Sequence, residues 1–246
     1  MRNTERWVPS KYVLRNGRLT ASKDVTEMAV GSRLVASLVA RKYEKAVPAH
    51  ARGRLIDLGC GKVPFYGLYR DFVEDVVAVD WSFGLHGNDH LDRECDLTAP
   101  LPFGDREFDT VILSDVLEHI ARPQGLCDEI ARILAPGGTL LLNVPFLYQL
   151  HERPYDFYRY TEHGLRHLLE ASGLRIASLE PIGGSPEVLT DMLAKHLARV
   201  PIAGSSLAAA LQQCVLRLVR SGLGRRISAR SSEAFPLGYF VVARRD

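Results

Sequence analysis

Residues 54–61, Arg-Leu-Ile-Asp-Leu-Gly-Cys-Gly, constrain this chain more than any other stretch. Leu55, Ile56 and Leu58 read as a buried strand, and Gly59 and Gly61 make a tight turn out of it. Glycine lets a backbone approach a ligand with no Cβ in the way. A second apolar run, Val76–Val79, ends in Asp80, nineteen residues after Gly61. A carboxylate about 20 residues past a Gly-rich strand-turn is where nucleotide-binding βαβ units grip a ribose diol.

A dinucleotide site asks for a third glycine, so that a helix N-terminus can cradle a pyrophosphate. Pro64 holds that position. Asp57, inside the strand, also fits poorly beside a pyrophosphate and well beside a cationic amine. Further motifs follow in order. Asp96-Leu97 comes first, then Leu101-Pro102-Phe103 and Phe108-Asp109, leading into an apolar strand at 111–113. Ser114-Asp115-Val116-Leu117-Glu118-His119-Ile120 follows it. A helix ending near Leu134 is stopped by Pro136-Gly137-Gly138, and Thr139–Val144 reads as the next buried strand.

Asp57–Gly61 resembles the first motif of class I S-adenosylmethionine-dependent methyltransferases. The series over about 50–146 resembles their whole motif set; each motif alone is weak, and order and spacing carry the likeness. A glycine turn of some other α/β protein is the alternative for the turn taken alone. The resemblance implies a Rossmann-like α/β fold with seven strands, the last antiparallel between the fifth and sixth. It implies S-adenosylmethionine as cofactor and S-adenosylhomocysteine as product. The cofactor-binding residues it implies are Asp57, Gly59, Cys60, Gly61, Asp80, Trp81, Asp96, Leu97 and Ser114, with Asp80 on the ribose and Trp81 against adenine or, alternatively, in the core.

At 246 residues the chain suits one domain with embellishments. Its four cysteines show no Cys-x-x-Cys pair and no metal-ligand spacing, which points to reduced thiols in a cytosolic protein. Residues 1–20 carry five basic residues and no apolar core, so no secretory signal is expected, and no apolar run is long enough for a membrane span. Net charge is only +2 but uneven: no acidic residue lies between Asp191 and Glu233, where Lys195, Arg199, Arg217, Arg220, Arg225, Arg226 and Arg230 fall. This is either a solvated basic face or a surface for a phospholipid headgroup or lipid-linked phosphate, with peripheral contact at the inner face of a membrane. Nucleic acid is disfavoured, because no aromatic residues interleave with the arginines.

Four segments are expected. Residues 1–50 form an N-terminal helical cover, irregular to 19, with capping-box spacing at Asp24 and Glu27 and an amphipathic helix over about 25–46. The resemblance lets Gly31-Ser32-Arg33 meet the methionine carboxylate, a plain surface helix being the alternative. Residues 51–185 form the cofactor-binding core, with Thr161 as N-cap of a helix ending near Gly173 and a strand at 174–179. Residues 186–232 are a helical insertion, with patterns near 186–199 and 205–221, where the minimal family pattern has a short connection. Residues 233–246 hold the last strand.

The densest polar and aromatic cluster, 145–161, leaves the carboxyl end of a parallel strand, where such sheets place their sites. It offers His151, Glu152 and Asp156 as proton acceptors and Arg159 as a fork for a carboxylate or phosphate. Tyr148, Tyr155 and Tyr158 are candidates to wall an acceptor pocket. The segment resembles a His-Glu-x-Pro-x-Asp-x-x-Arg-Tyr-Thr signature of bacterial polysaccharide- and glycolipid-tailoring methyltransferases. The competing reading is an Asp156–Arg159 ion pair that merely fixes the loop. His119 is a further catalytic candidate or a structural histidine. His86 and His90, with Asp89 and Asp92, have weak metal spacing, and no metal is expected.

These readings converge on O-methylation of a sugar, glycan or other small acidic acceptor, with His151 as first choice of base. N-methylation of a small molecule, and a non-catalytic module binding S-adenosylmethionine or S-adenosylhomocysteine, are the rivals. Monomer and homodimer both stay open.

Overall fold

The computed structural model describes residues 1–81 and 89–246. A hairpin, β1 (Tyr12–Arg15) and β2 (Arg18–Ala21), precedes helix α1 (Arg33–His50). Then come β3 (Arg54–Leu58), a short α2 (Tyr66–Tyr69), β4 (Asp75–Asp80), β5 (Arg93–Glu94), β6 (Phe108–Ser114), α3 (Pro123–Ile133), β7 (Leu134–Pro145), α4 (Glu162–Ala171) and β8 (Leu174–Ile182). Helices α5 (Ser185–Leu197), α6 (Gly204–Leu218) and α7 (Gly222–Ser231) lead to β9 (Gly238–Arg245).

Seven strands form one sheet in the order β5-β4-β3-β6-β7-β9-β8. β9 runs antiparallel between β7 and β8, and the other neighbours are parallel, as the motif series implied. The order reverses at β3, which has β4 on one side and β6 on the other. A crevice opens outside the carboxyl ends of strands at such a point. It places the Gly59 turn beside Ser114.

The central strands are buried on both faces, which is why they read as nearly continuous apolar runs. Alternation divides them between two cores. Leu55, Ile112 and Leu141 face α1 and the hairpin, among Val39, Tyr43 and Tyr12. Ile56, Val111, Leu113, Leu140 and Leu142 face the opposite way, with Leu126 and Ile130 of α3 and Leu165 and Leu169 of α4. Thr161 caps α4, its Oγ1 accepting the Gly164 N–H at 3.1 Å.

Three expectations are corrected. Residues 1–19 are not irregular throughout: Asn16 and Gly17 both have positive φ, the conformation of a type I′ hairpin turn, and join β1 to β2. The helix expected over 25–46 begins at Arg33, after a 3-10 turn at Val30–Ser32. Asp24 turns back on Thr26, whose N–H it accepts at 2.9 Å, and Glu27 pairs with Lys62 at 2.7 Å. The α1 cap comes instead from α6: the Leu34 N–H donates to Gln212 Oε1 at 2.7 Å, and Gln212 Nε2 donates to the Val30 carbonyl at 2.7 Å. Lys195 is not on the basic face. It is buried, paired with Asp191, with its ammonium 3.4 Å from the Tyr148 ring centre.

Between β8 and β9 there are three helices where the sequence predicts two. Ser221 starts the third, its Oγ accepting the Gly224 N–H. Val188, Ala194, Ala208 and Leu216 turn inward, while Leu189, Met192, Leu193, Leu207 and Leu223 are exposed. Among the described residues, no helix is long and apolar enough to cross a membrane.

Candidate active site

The turn after β3 requires its glycines. Gly59 has φ +68°, and a Cβ there would lie 2.5 Å from Val116 Cγ2. Gly61 has φ +48° and open space on its Cβ side. The N–H groups of Gly59 and Cys60 both donate to the Val79 carbonyl, and that of Gly61 donates to Asp80 Oδ2 at 2.6 Å. The end of β4 therefore fixes the turn after β3. Asp57 is buried beneath it and accepts a hydrogen bond from Tyr69 Oη at 3.1 Å. Burial pushes its carboxyl up to about 7, with Tyr69 acting against the rise and Asp80 adding to it.

The nine residues from Asp57 to Ser114 expected to bind the cofactor all line one cavity of about 570 Å³. Asp57, Gly59, Cys60 and Gly61 come from the turn; Asp80 and Trp81 from the end of β4; Asp96 and Leu97 from beyond β5; and Ser114 from the end of β6. The volume is in the range of small-molecule and cofactor sites. Trp81 stands edge-on to Tyr155, with ring centres 5.3 Å apart. Asp96 Oδ1 accepts from the backbone and hydroxyl of Thr98. Tyr155, His119 and Glu152 line the same cavity.

A smaller cavity of about 120 Å³ adjoins it, lined by Tyr148 and His151, and sharing Lys11, Asp115 and Glu152 with the larger one. Lys11 and Asp115 pair at 3.0 Å on this shared wall. Asp115 also accepts from Asn143 Nδ2 at 2.5 Å, and Asn143 accepts from Tyr43 Oη at 2.9 Å.

Where the cavities meet, three groups converge. Glu118 follows β6 in a 3-10 turn, is fully buried, and neither of its carboxylate oxygens has a hydrogen-bond partner. Its Oε1 lies 3.6 Å from His151 Nε2 and 3.7 Å from His119 Nε2. The two Nε2 atoms are 3.1 Å apart, and His119 Nδ1 lies 3.0 Å from the Tyr155 carbonyl oxygen. Burial raises the Glu118 pKa. Burial alone would lower that of His151, but Glu118 and Asp156 outweigh it and hold it above the ordinary histidine value. The Glu118 carbonyl accepts the N–H groups of Phe157 and Tyr158, which ties the segment after β6 to the 145–161 segment.

A methyltransferase-domain family model matches residues 32–179. The chain belongs to that methyltransferase family. Its domain is 31% identical over 125 residues to a demethylmenaquinone methyltransferase of Clavibacter sepedonicus, covering 46% of this chain and 51% of that one. It is 31% identical over 155 residues to a malonyl-[acyl-carrier protein] O-methyltransferase of Alcanivorax borkumensis, covering 59% and 50%. The chain thus spans about half the length of these curated relatives. Two solved structures show the shared fold. An S-adenosylmethionine-dependent methyltransferase from Mesorhizobium loti is 16% identical, with a TM-score of 0.55, over 86% of this chain and 100% of that one. The [4+2]-cyclase SpnF is 19% identical, with a TM-score of 0.53, over 97% and 87%. S-adenosylmethionine is the family's cofactor, and the residues here fit it: a glycine turn open on one side, a buried carboxylate suited to an ammonium, and a second carboxylate at the adjoining strand end.

Other candidate residues lie differently. Asp156 and Arg159 form a forked pair, with Arg159 Nη1 and Nη2 at 2.6 and 2.7 Å from the two carboxylate oxygens. Arg159 also donates to the Gln149 and Tyr158 carbonyls. It lines neither cavity, so its fork is directed at the loop and not at an acceptor. Asp156 accepts the His151 N–H at 2.8 Å. Burial works to raise its carboxyl, yet Arg159 and His151 hold it at about 2, which makes it a poor base. Tyr158 donates to the Ala121 carbonyl and also lines neither cavity. Of Gly31-Ser32-Arg33, Gly31 packs on Lys195, Ser32 lies 3.2 Å from Tyr148 Oη, and Arg33 donates to the Lys23 carbonyl; none reaches the large cavity. The His86–His90 pair falls partly outside the described residues. Sequence reasoning missed Glu118, Lys11, Asp115 and Asn143 as site residues. Only Asp115 and Glu118, inside a quoted motif, carried any signal.

Proposed function

We propose that this chain is an S-adenosylmethionine-dependent O-methyltransferase whose acceptor hydroxyl sits against the His119–Glu118–His151 cluster. One observation carries the reading: His119 lines the larger cavity, His151 lines the smaller one, and the two cavities share Lys11, Asp115 and Glu152. S-adenosylmethionine supplies a methyl group already activated on a sulfonium. What remains for the protein is alignment, exclusion of water and removal of a proton. The acceptor O–H proton passes to the imidazole–carboxylate cluster, and a new O–CH3 bond forms as the methyl–sulfur bond breaks, with sulfur keeping the bonding pair. An amine acceptor needs less help from a base, and a binding module needs none. A buried carboxyl group behind two imidazoles therefore favours oxygen.

Asp57 is assigned to the ammonium of the cofactor, Asp80 to its ribose and Trp81 to adenine. Tyr155 and Tyr148 wall the acceptor path. The relatives' names give unlike acceptors, a demethylmenaquinone and a malonyl-carrier protein, so they do not select one. A sugar or glycan acceptor rests on the exposed aromatic rings of Tyr155 and Phe157 beside the cavity. A lipid-linked acceptor, with residues 186–232 at a membrane surface, rests on the exposed Leu189-Met192-Leu193 face of α5 and the arginines of α7. Incubation with labelled S-adenosylmethionine and a panel of nucleotide sugars and lipid-linked saccharides tests the acceptor class. Transfer to none of them, with transfer to an amine, removes the reading.

A further inference from the structure

We propose that Glu118, His119 and His151 form a binding site for one divalent transition-metal ion of the zinc–iron(II) class, with Glu152 as a fourth donor from the rim. The proposal rests on the reading of this cavity as the place where the acceptor oxygen arrives.

The separations fit. The three donor atoms, Glu118 Oε1, His119 Nε2 and His151 Nε2, stand 3.1, 3.6 and 3.7 Å from one another. An ion bound at about 2.1 Å sets neighbouring donors about 3.0 Å apart in octahedral and about 3.4 Å apart in tetrahedral geometry. Glu152 Oε2 lies 3.9 Å from His119 Nε2 and faces both cavities. Small rotations of exposed Glu152 complete the set, and the remaining positions open toward the acceptor path.

The outward-facing atoms of the two imidazoles point the same way. His119 Nδ1 lies 3.0 Å from the Tyr155 carbonyl, which can only accept, so Nδ1 carries the hydrogen. His151 Nδ1 faces Asp156 Oδ2 at 3.3 Å, and Asp156 is itself held by Arg159. A carboxylate or carbonyl behind the distal nitrogen is the arrangement that orients metal-bound histidines. Two Nε2 atoms and a carboxylate oxygen thus converge on one point, where a bound cation would replace the hydrogen that the two Nε2 atoms share. Glu118 makes this acute: it is wholly buried, and neither oxygen is hydrogen-bonded. Leaving such a carboxylate uncompensated is costly, whereas pairing it or coordinating a metal removes the cost. Two imidazoles select zinc, iron(II), cobalt or nickel over magnesium or calcium. A cation there would hold the acceptor hydroxyl and lower its pKa. With a cation bound, Glu118, His119 and His151 would act as ligands and not as the base, and the uncoordinated oxygen of Glu152 would take the proton.

The test needs no acceptor. Untagged full-length protein, stripped with a chelator, is titrated with Co2+ by visible absorption and with Zn2+ by calorimetry near neutral pH. One equivalent of Co2+ should give d–d bands that Zn2+ abolishes. His119→Ala and His151→Ala should each weaken binding about a hundredfold, and Asp156→Asn roughly ten- to a hundredfold. Glu118→Gln, which keeps the shape of the buried side chain, should weaken it at least tenfold. S-adenosylmethionine binding in the same samples reports that each variant is folded. Absence of stoichiometric binding by the wild type, selective binding of Mg2+, or unchanged affinity in the His119→Ala/His151→Ala double variant would overturn the site. Metal binding without S-adenosylmethionine binding would instead sink the methyltransfer reading and leave the metal site standing.

Discussion

Asp80 Oδ2 accepts the Gly61 N–H at 2.6 Å, so the carboxylate assigned to the ribose also anchors the glycine turn. One side chain thereby links the ends of β3 and β4. Hydrogen bonds to a charged group contribute about 1.5–3 kcal/mol. Asp80→Ala should weaken S-adenosylmethionine binding roughly ten- to a hundredfold. Wild-type affinity by calorimetry in that variant would remove Asp80 from the ribose.

Gly59→Ala meets two obstacles, a φ of +68° and a Cβ contact of 2.5 Å with Val116. Left-handed backbone at a non-glycine residue costs about 1–3 kcal/mol. For a chain of this size each kcal/mol lowers Tm by roughly 2–4 °C. Adding Val116→Ala should recover part of the loss measured by thermal unfolding, because it removes the clash and leaves the strained φ. No recovery would mean that Val116 is not the obstacle.

The buried Asp57 carboxyl sets a pH dependence. Its folded pKa, about 7, lies above the ordinary aspartate value. The folded protein therefore holds a proton that the unfolded chain gives up, and stability falls as pH rises from about 4 to about 7. Denaturant unfolding of the ligand-free protein should show this fall, on the order of a few kcal/mol at most. Asp57→Asn should flatten it. An ammonium beside Asp57 favours the carboxylate, so the Tm gain from S-adenosylmethionine should be larger at pH 8 than at pH 6 in the wild type. Equal gains would place the ammonium elsewhere.

Arg159 acts on the loop, through Asp156, on the His151 backbone. Arg159→Lys keeps the charge and loses the fork. Turnover should fall ten- to a hundredfold through misplacement of His151, while S-adenosylmethionine affinity stays within about twofold. If KM for an acidic acceptor rose instead, with kcat unchanged, Arg159 would be a substrate contact after all.

Much of this was legible in the sequence because it is local. The buried runs ending in Gly59, Asp80 and Ser114 are strands whose apolar faces and glycine turn depend on near neighbours. The Asn16-Gly17 hairpin is equally local, an Asn-Gly turn between two short strands. The start of α1 was not legible, because Gln212 caps it from far along the chain. The Glu118 cluster was not legible either. Phe157 and Tyr158 bind the Glu118 carbonyl, a contact between distant parts of the chain, and His151 lies within 3.6 Å of the carboxylate. Nothing in the spacing of residues 118 and 151 announces that approach.

The central claim is that the methyl group goes to an oxygen held at this cluster. Isotopically labelled S-adenosylmethionine, followed by NMR of the product methyl group, tests it most directly. A methoxy signal is expected, and it should be lost in the His119→Ala/His151→Ala double variant while that variant still binds S-adenosylmethionine. An N-methyl signal, or a methoxy signal undiminished in the double variant, would contradict it.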